Sequence, residues 1–322
     1  MKKITPFLLV LTLFFTLNGC SSDDNGGSGP APLPKVTANT TVNAPTLSSP
    51  DETVWDSVST TTLDISSSTA PKRAVSKPAT ISTNITVQAI NKNDSLYLRL
   101  QWDDNDFSVW KDYYSVSDTS PLNFTWNNWS DEDQLYVMFD GAPGGGWDVW
   151  NWRVLTTGTD NLAEGFRYRN DTLIRDAGDA PVASINDTLP GGRNPRYVDT
   201  LLSAFNGYIL PLDSLTSTYY NSTGWTVGQK VPGWIIDRSL KTAPATRRNS
   251  RLDIKAVSNY NTELKKYTVV LARALNTGYD DDIDMSSMSS ITAKIGIFNN
   301  QDDFNLGGSN RGFTVNFTLI LK

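Results

Sequence analysis

Apolar and polar residues alternate with a period of two in one segment of this chain after another. Ile85, Val87 and Ala89 alternate with polar neighbours, and Leu96, Leu98, Leu100 and Trp102 do the same after the turn residues Asn91-Lys92-Asn93-Asp94, which predicts a hairpin. The same alternation predicts strands over Gln134–Asp140, Trp147–Val154, Leu252–Val257, Tyr267–Leu275, Ile291–Phe298 and Phe313–Leu321. In the last of these, Phe313, Val315, Phe317, Leu319 and Leu321 share one face and Thr314, Asn316 and Thr318 the other, the pattern of a half-buried antiparallel strand. After residue 19 no segment sustains the 3.6-residue period of a helix, and no βαβ unit is visible. The expected class is therefore all-β, a two-sheet antiparallel β-sandwich. The stretch 157–230, rich in Asn, Asp, Thr and Gly, is expected to form long loops inserted at one end of it.

The N-terminus follows a different pattern. Lys2 and Lys3 precede an apolar run from Phe7 to Leu17. As a helix that run would be about 16 Å long, half a bilayer core, which fits a secretory signal and not a membrane span. It ends in Leu17-Asn18-Gly19-Cys20, which resembles the lipobox of bacterial lipoproteins. The resemblance implies cleavage before Cys20, acylation of Cys20 and membrane attachment through the lipid, stable when two or more acyl chains are present. Ser21 and the acidic Asp23 and Asp24 behind it resemble the sorting pattern of outer-membrane and surface-exposed lipoproteins. Residues 1–19 are thus expected to be a signal peptide, 20–48 a flexible tether with Pro30, Pro32 and Pro34, and 49–322 a single domain.

Composition removes several chemistries. A net charge of −6 without a basic stripe argues against nucleic acid as a partner. The chain has no histidine, which excludes Ser-His-Asp and Cys-His catalysis, histidine zinc sites and bis-histidine haem. Cys20 is the only cysteine, so no disulfide forms within the chain. Aromatic residues make up 11 % of the sequence, ten of them Trp, enough for an aromatic core or for a ligand platform.

A series of phrases runs through the domain in order. Val54-Trp55-Asp56 is followed by Thr86-Val87-Gln88-Ala89-Ile90 and by Leu96-Tyr97-Leu98-Arg99-Leu100-Gln101-Trp102-Asp103-Asp104. Then come Asp133 to Phe139, Trp147-Asp148-Val149-Trp150-Asn151-Trp152-Arg153, Val231-Pro232-Gly233-Trp234, Asp253-Ile254-Lys255-Ala256 and Leu271-Ala272-Arg273-Ala274-Leu275. This succession resembles the haem-binding domain shared by ethylbenzene dehydrogenase γ subunits, related DMSO-reductase-type γ subunits and some c-type cytochromes. The resemblance implies a β-sandwich holding one b-type haem for electron transfer, with methionine and lysine as axial ligands. Among Met138, Met285 and Met288, Met138 fits best, because it shares a strand face with Tyr136 opposite Leu135, Val137 and Phe139. Lys294 and Lys322 both remain open as the lysine. The family commonly carries histidine where this chain has Asn151.

Trp147, Trp150 and Trp152 fall within six residues, with Trp126 and Trp129 nearby; on a strand Trp150 and Trp152 share a face. Tryptophans of this kind fill a core, stack on a porphyrin or stack on sugars, and the expected architecture is also similar to family 9 carbohydrate-binding modules. The acidic clusters Asp103-Asp104-Asn105-Asp106 and Asp280-Asp281-Asp282-Ile283-Asp284 carry the hard oxygens that calcium prefers. They lack a glycine-containing loop spacing, and read as solvated loop acids. Asp-Ser-Leu and Asp-Thr-Leu triplets at Asp94, Asp171, Asp187, Asp199 and Asp213 resemble O-glycosylation acceptors and read equally as turn residues before strands. The leading expectation is a non-catalytic haem-binding, electron-transfer domain on a lipid anchor, with Met138, Tyr136, Trp150 and Trp152 at the haem and a redox protein as partner. The alternatives are a surface module that binds polysaccharide and a ligand-free sandwich serving adhesion or assembly.

Overall fold

The computed structural model describes residues 31–65, 81–105, 107, 113–119, 122–127, 132–154, 157–158, 161–170, 172–178, 227, 230–232, 250–298 and 313–322. Within Leu33–Lys322 they form strands joined by turns, with short 3-10 turns at Thr53–Ser57 and Ser250–Leu252. The strands are β1 (Lys35–Asn39), β2 (Thr61–Asp64), β3 (Ile81–Lys92), β4 (Ser95–Asp104), β5 (Tyr113–Thr119), β6 (Leu122–Asn127), β7 (Gln134–Asp140) and β8 (Trp147–Arg153). They continue as β9 (Leu162–Arg169), β10 (Thr172–Arg175), β11 (Lys230–Pro232), β12 (Ile254–Asn261), β13 (Lys266–Ala274), β14 (Ser290–Phe298) and β15 (Phe313–Ile320).

The all-β expectation holds, but the two-sheet sandwich does not. Hydrogen-bonded pairing runs β1-β15-β14-β7-β8-β9-β12-β13-β4-β3 and returns from β3 to β1, so these ten strands close into a barrel. The closing strand is β1. It pairs parallel with β15 through Lys35↔Thr318 to Thr37↔Ile320, and parallel with β3 through Ala38↔Ala89 and Asn39↔Ile90. Every other pairing in the ring is antiparallel. β2 adds to the outer part of β3, β10 adds to β9, and β11-β5-β6 form a separate three-stranded sheet. Closure removes the unpaired edges that an open sheet would expose.

The period-two pattern decides which side chains face inward. From β3 and β4 these are Ile85, Val87, Ala89, Leu98, Leu100 and Trp102; from β7 and β8, Leu135, Val137, Phe139, Trp150 and Trp152. Tyr267, Val269 and Leu271 of β13, Ile295 and Ile297 of β14, and Phe317 and Leu319 of β15 join them in the lining. Each large apolar side chain buried this completely contributes roughly 1.5–3 kcal/mol. Trp102 stacks on Tyr267 with centroids 4.9 Å apart, and Phe139 meets Trp150 edge-on at 4.8 Å. The Tyr267 hydroxyl donates to Asp133 Oδ2 at 2.6 Å, so its polar atom is satisfied inside the wall.

Local chemistry sets the turns. The predicted hairpin closes through Asn93 and Asp94, at φ +52° and +55°, which is the two-residue turn whose twist matches the strands. β1 lies inside the stretch read as tether, and β9 and β10 lie inside the stretch read as loops.

Candidate functional site

One end of the barrel is charged. Counting inward positions along β13 from Tyr267 leads through Val269 and Leu271 to Arg273, whose side chain is 1 % exposed. Its Nη2 donates to Asp148 Oδ2 at 2.8 Å and its Nη1 to Asp282 Oδ1 at 3.1 Å, while its guanidinium lies 5.0 Å from the centroid of the Trp150 ring. Asp148 is the inward residue at the start of β8 and also accepts the Ile283 N–H at 3.0 Å. Asp282 also accepts from Thr277 Oγ1 at 2.6 Å. Burial raises the Asp282 carboxyl above its ordinary range, against the lowering effect of Arg273.

Two more carboxyl groups extend this network. Burial pushes Asp253 up to about 8, and the charges of Asp282 and Asp148 add to the rise while Arg273 opposes it. Asp176 is likewise pushed up to about 8 by burial, then by the charges of Asp148, Asp281 and Asp282; Arg167 opposes that shift, with Nε 3.2 Å from Asp176 Oδ1. Gly165 makes room here, because a Cβ at that position would clash with Asp176 Oδ2 and with the Ser250 carbonyl oxygen.

Above this network opens a pocket of about 410 Å³ lined by Arg167, Ala177, Gly178, Ser250, Tyr279, Asp280 and Asp281. Asp281 is fixed in place: its Oδ2 accepts from Ala177 N and from Ser250 Oγ, each at 2.8 Å. Its Oδ1 and the two terminal nitrogens of Arg167 have no hydrogen-bond partner among the described residues. Tyr279 is 36 % exposed and offers a ring face. The pocket therefore combines guanidinium donors, a carboxylate acceptor, a hydroxyl and an aromatic surface, at a volume typical of small-molecule sites, roughly 300–1,000 Å³.

The residues expected at a haem do not meet. Trp150 and Trp152 are fully buried inside the barrel, whereas Tyr136 and Met138 lie on the opposite face of the wall. There Met138, 2 % exposed, clusters with Tyr136, Val149, Phe166 and Phe298. Lys294 stands directly opposite Met138 in the β14–β7 ladder, and its Nζ is 5.1 Å from the Trp147 ring centroid. Burial lowers the Lys294 ammonium below its ordinary value. Met138 and Lys294 project side by side from one sheet face, so they do not bracket a porphyrin plane, and the described residues do not fit haem through this pair. Met285 is buried in the core, and Met288 packs against it. Lys322 is exposed and donates to the Ser287 carbonyl at 3.4 Å. Asn151 is buried on the same outer face as Tyr136, its cross-strand neighbour.

Among the described residues no group of three or more His, Cys, Asp or Glu side chains is arranged to hold a metal ion. In the second acidic cluster Asp280 and Asp284 are solvated, while Asp281 and Asp282 are structural acceptors. Asp103 sits 3.5 Å from Lys266, and Asp94 is a turn residue. Cys20, Trp129, Asp106, Asp171, Asp187, Asp199 and Asp213 lie outside the described residues, as does the side chain of Trp126. Sequence reasoning missed Arg273, Asp148, Asp176, Arg167 and Tyr279. For Arg273 the signal was present: a charge in the inward slot of an otherwise apolar strand.

No protein-family model and no curated protein sequence matches this chain. Among solved structures, it is similar to a proposed carbohydrate-binding protein from Bacteroides uniformis, at 7 % identity over 90 % of this chain and 92 % of that one, with a TM-score of 0.34.

Proposed function

We propose that this protein binds carbohydrate at the pocket on the charged end of the barrel and is displayed at the outer membrane by lipid on Cys20. The observation that carries the reading is the set of groups around one cavity: Tyr279, Arg167, Asp281 and Ser250. A sugar presents vicinal hydroxyls at its edge and C–H groups on its faces. Planar charged side chains such as Arg167 and Asp281 make strong, directional hydrogen bonds to hydroxyls, and a tyrosine ring covers the apolar face. The buried network beneath holds the polar groups in position before a ligand arrives, which lowers the ordering cost of binding. Trp150 and Trp152 take no part, because they fill the core.

The test is affinity electrophoresis of the full chain, in detergent, through gels containing a panel of polysaccharides. At least one polymer should retard the protein, and Tyr279→Ala should weaken that retardation about tenfold or more without changing the melting temperature, since the ring is partly solvated. No retardation by any polymer would remove the reading. A Soret absorption band in protein from haem-supplemented cells, weakened by Met138→Ala, would favour haem in its place.

A further inference from the structure

A second charged cluster lies on the outer face of β9. The carboxylate of Glu164 is fully buried, and three guanidinium groups converge on it. Arg153 pairs with Oε2; Arg251 reaches Oε1 through Nε at 2.6 Å and also through Nη2; Arg175 Nε stands 3.6 Å from the same Oε1. One bidentate arginine is enough to neutralise a buried carboxylate. Here three surround it, and among the described residues Glu164 is the sole polar side-chain partner of both Arg175 and Arg251. The terminal nitrogens of Arg175, whose side chain is 65 % exposed and lies over the Phe166 ring, donate to no described residue. Asn151, directly across from Glu164 in the β8–β9 ladder, is buried with an Nδ2 that finds no acceptor among the described residues. Among the described residues Arg175 and Arg251 share one carboxylate oxygen, and the partner that would balance the second charge is an anion.

The cluster is also tied to the pocket. Arg251 N donates to the Ala177 carbonyl at 3.2 Å, which joins the segment following β10 to the turn Ser250–Leu252. Those same two segments supply Ala177, Gly178 and Ser250 to the pocket wall. A chain of sugars leaving the pocket over this rim would run on to the arginines.

We infer that Arg175 and Arg251, braced by Glu164, bind an anionic substituent, carboxylate or sulfate, of the polysaccharide whose neutral ring occupies the pocket. This rests on the carbohydrate reading above, and its test separates the two. The full chain is run through gels containing polygalacturonate, carboxyl-reduced polygalacturonate, dextran sulfate or dextran, so that each backbone is present with and without charge. The charged member of at least one pair should bind more tightly. Arg175→Gln should weaken that binding about tenfold and leave the neutral polymer unchanged; Arg175→Lys, which keeps the charge and loses the fork, should recover part of it. Lys265→Gln removes the same charge at the turn beyond the far end of β12 and should change neither. Equal binding of charged and neutral polymers, insensitive to Arg175→Gln, overturns the anion site and leaves the carbohydrate reading standing. An equal loss with Lys265→Gln also overturns it, as general charge attraction. Binding to none of the four polymers overturns both. Which charged polymer responds separates a carboxylate from a sulfate ester.

Discussion

A guanidinium buried as deeply as that of Arg273 has lost nearly all of its hydration, and the carboxylates of Asp148 and Asp282 replace it by direct ion pairs. Asp253 and Asp176, crowded against them, pay for that arrangement by holding their protons to about pH 8. Both groups titrate near 3.8 in the unfolded chain. Between those two values the native state keeps protons that the unfolded state gives up, so stability falls as pH rises from about 4 to about 8 and levels off above that. Urea-unfolding midpoints at pH 5, 7 and 9 should therefore decrease in that order. Asp253→Asn, which mimics the neutral acid, should exceed the wild type by a margin that widens between pH 5 and pH 9 by roughly 4 kcal/mol. A wild-type midpoint that rises from pH 5 to pH 9 would contradict this account. At this scale the sequence was partly legible. Period two puts Arg273 on the same face as Val269 and Leu271, so its burial could be read, but its partners could not: Asp148 and Asp282 come from a different strand and from a loop.

Strands whose apolar residues alternate cleanly, such as β4 and β15, were visible at once. β9 was hidden because Glu164, Arg167 and Arg169 interrupt its alternation, and two of these charges find partners only through tertiary contacts. β1 was hidden because Lys35-Val36-Thr37-Ala38-Asn39 is short and sits in a polar, proline-containing stretch; only Val36 and Ala38 face the core. The turn between β7 and β8 shows how close the wall is built. Gly146, at φ +96°, sits where an added Cβ would overlap the Tyr168 carbonyl oxygen. Gly146→Ala should cost roughly 2–4 kcal/mol through the φ and the clash together, seen as a lower urea midpoint. Gly145→Ala meets no such atom and should cost less. Equal losses at the two positions would mean that the β8–β9 approach is not what constrains the turn.

For the whole molecule, the all-β class followed from pattern alone, whereas barrel closure did not. Closure depends on one five-residue strand pairing parallel on both sides, and parallel pairing leaves no hairpin signature in the sequence. The proposed lipid anchor belongs to this scale as well. Cells fed labelled palmitate should incorporate label into the wild-type protein and not into Cys20→Ser; an unlabelled wild type would remove the anchor from the proposal.

The seam made by β1 has a consequence in time. Its strand is among the first of the barrel to be synthesised, yet its partner β15 follows roughly 280 residues later, and loop closure over such a distance is slow. Until the final strand arrives, Val36 and Ala38 have no complete wall to enter and the ring is open along one side. The barrel is therefore finished last at the place where it begins, and an incomplete chain is distinguished from a complete one by an unsealed edge.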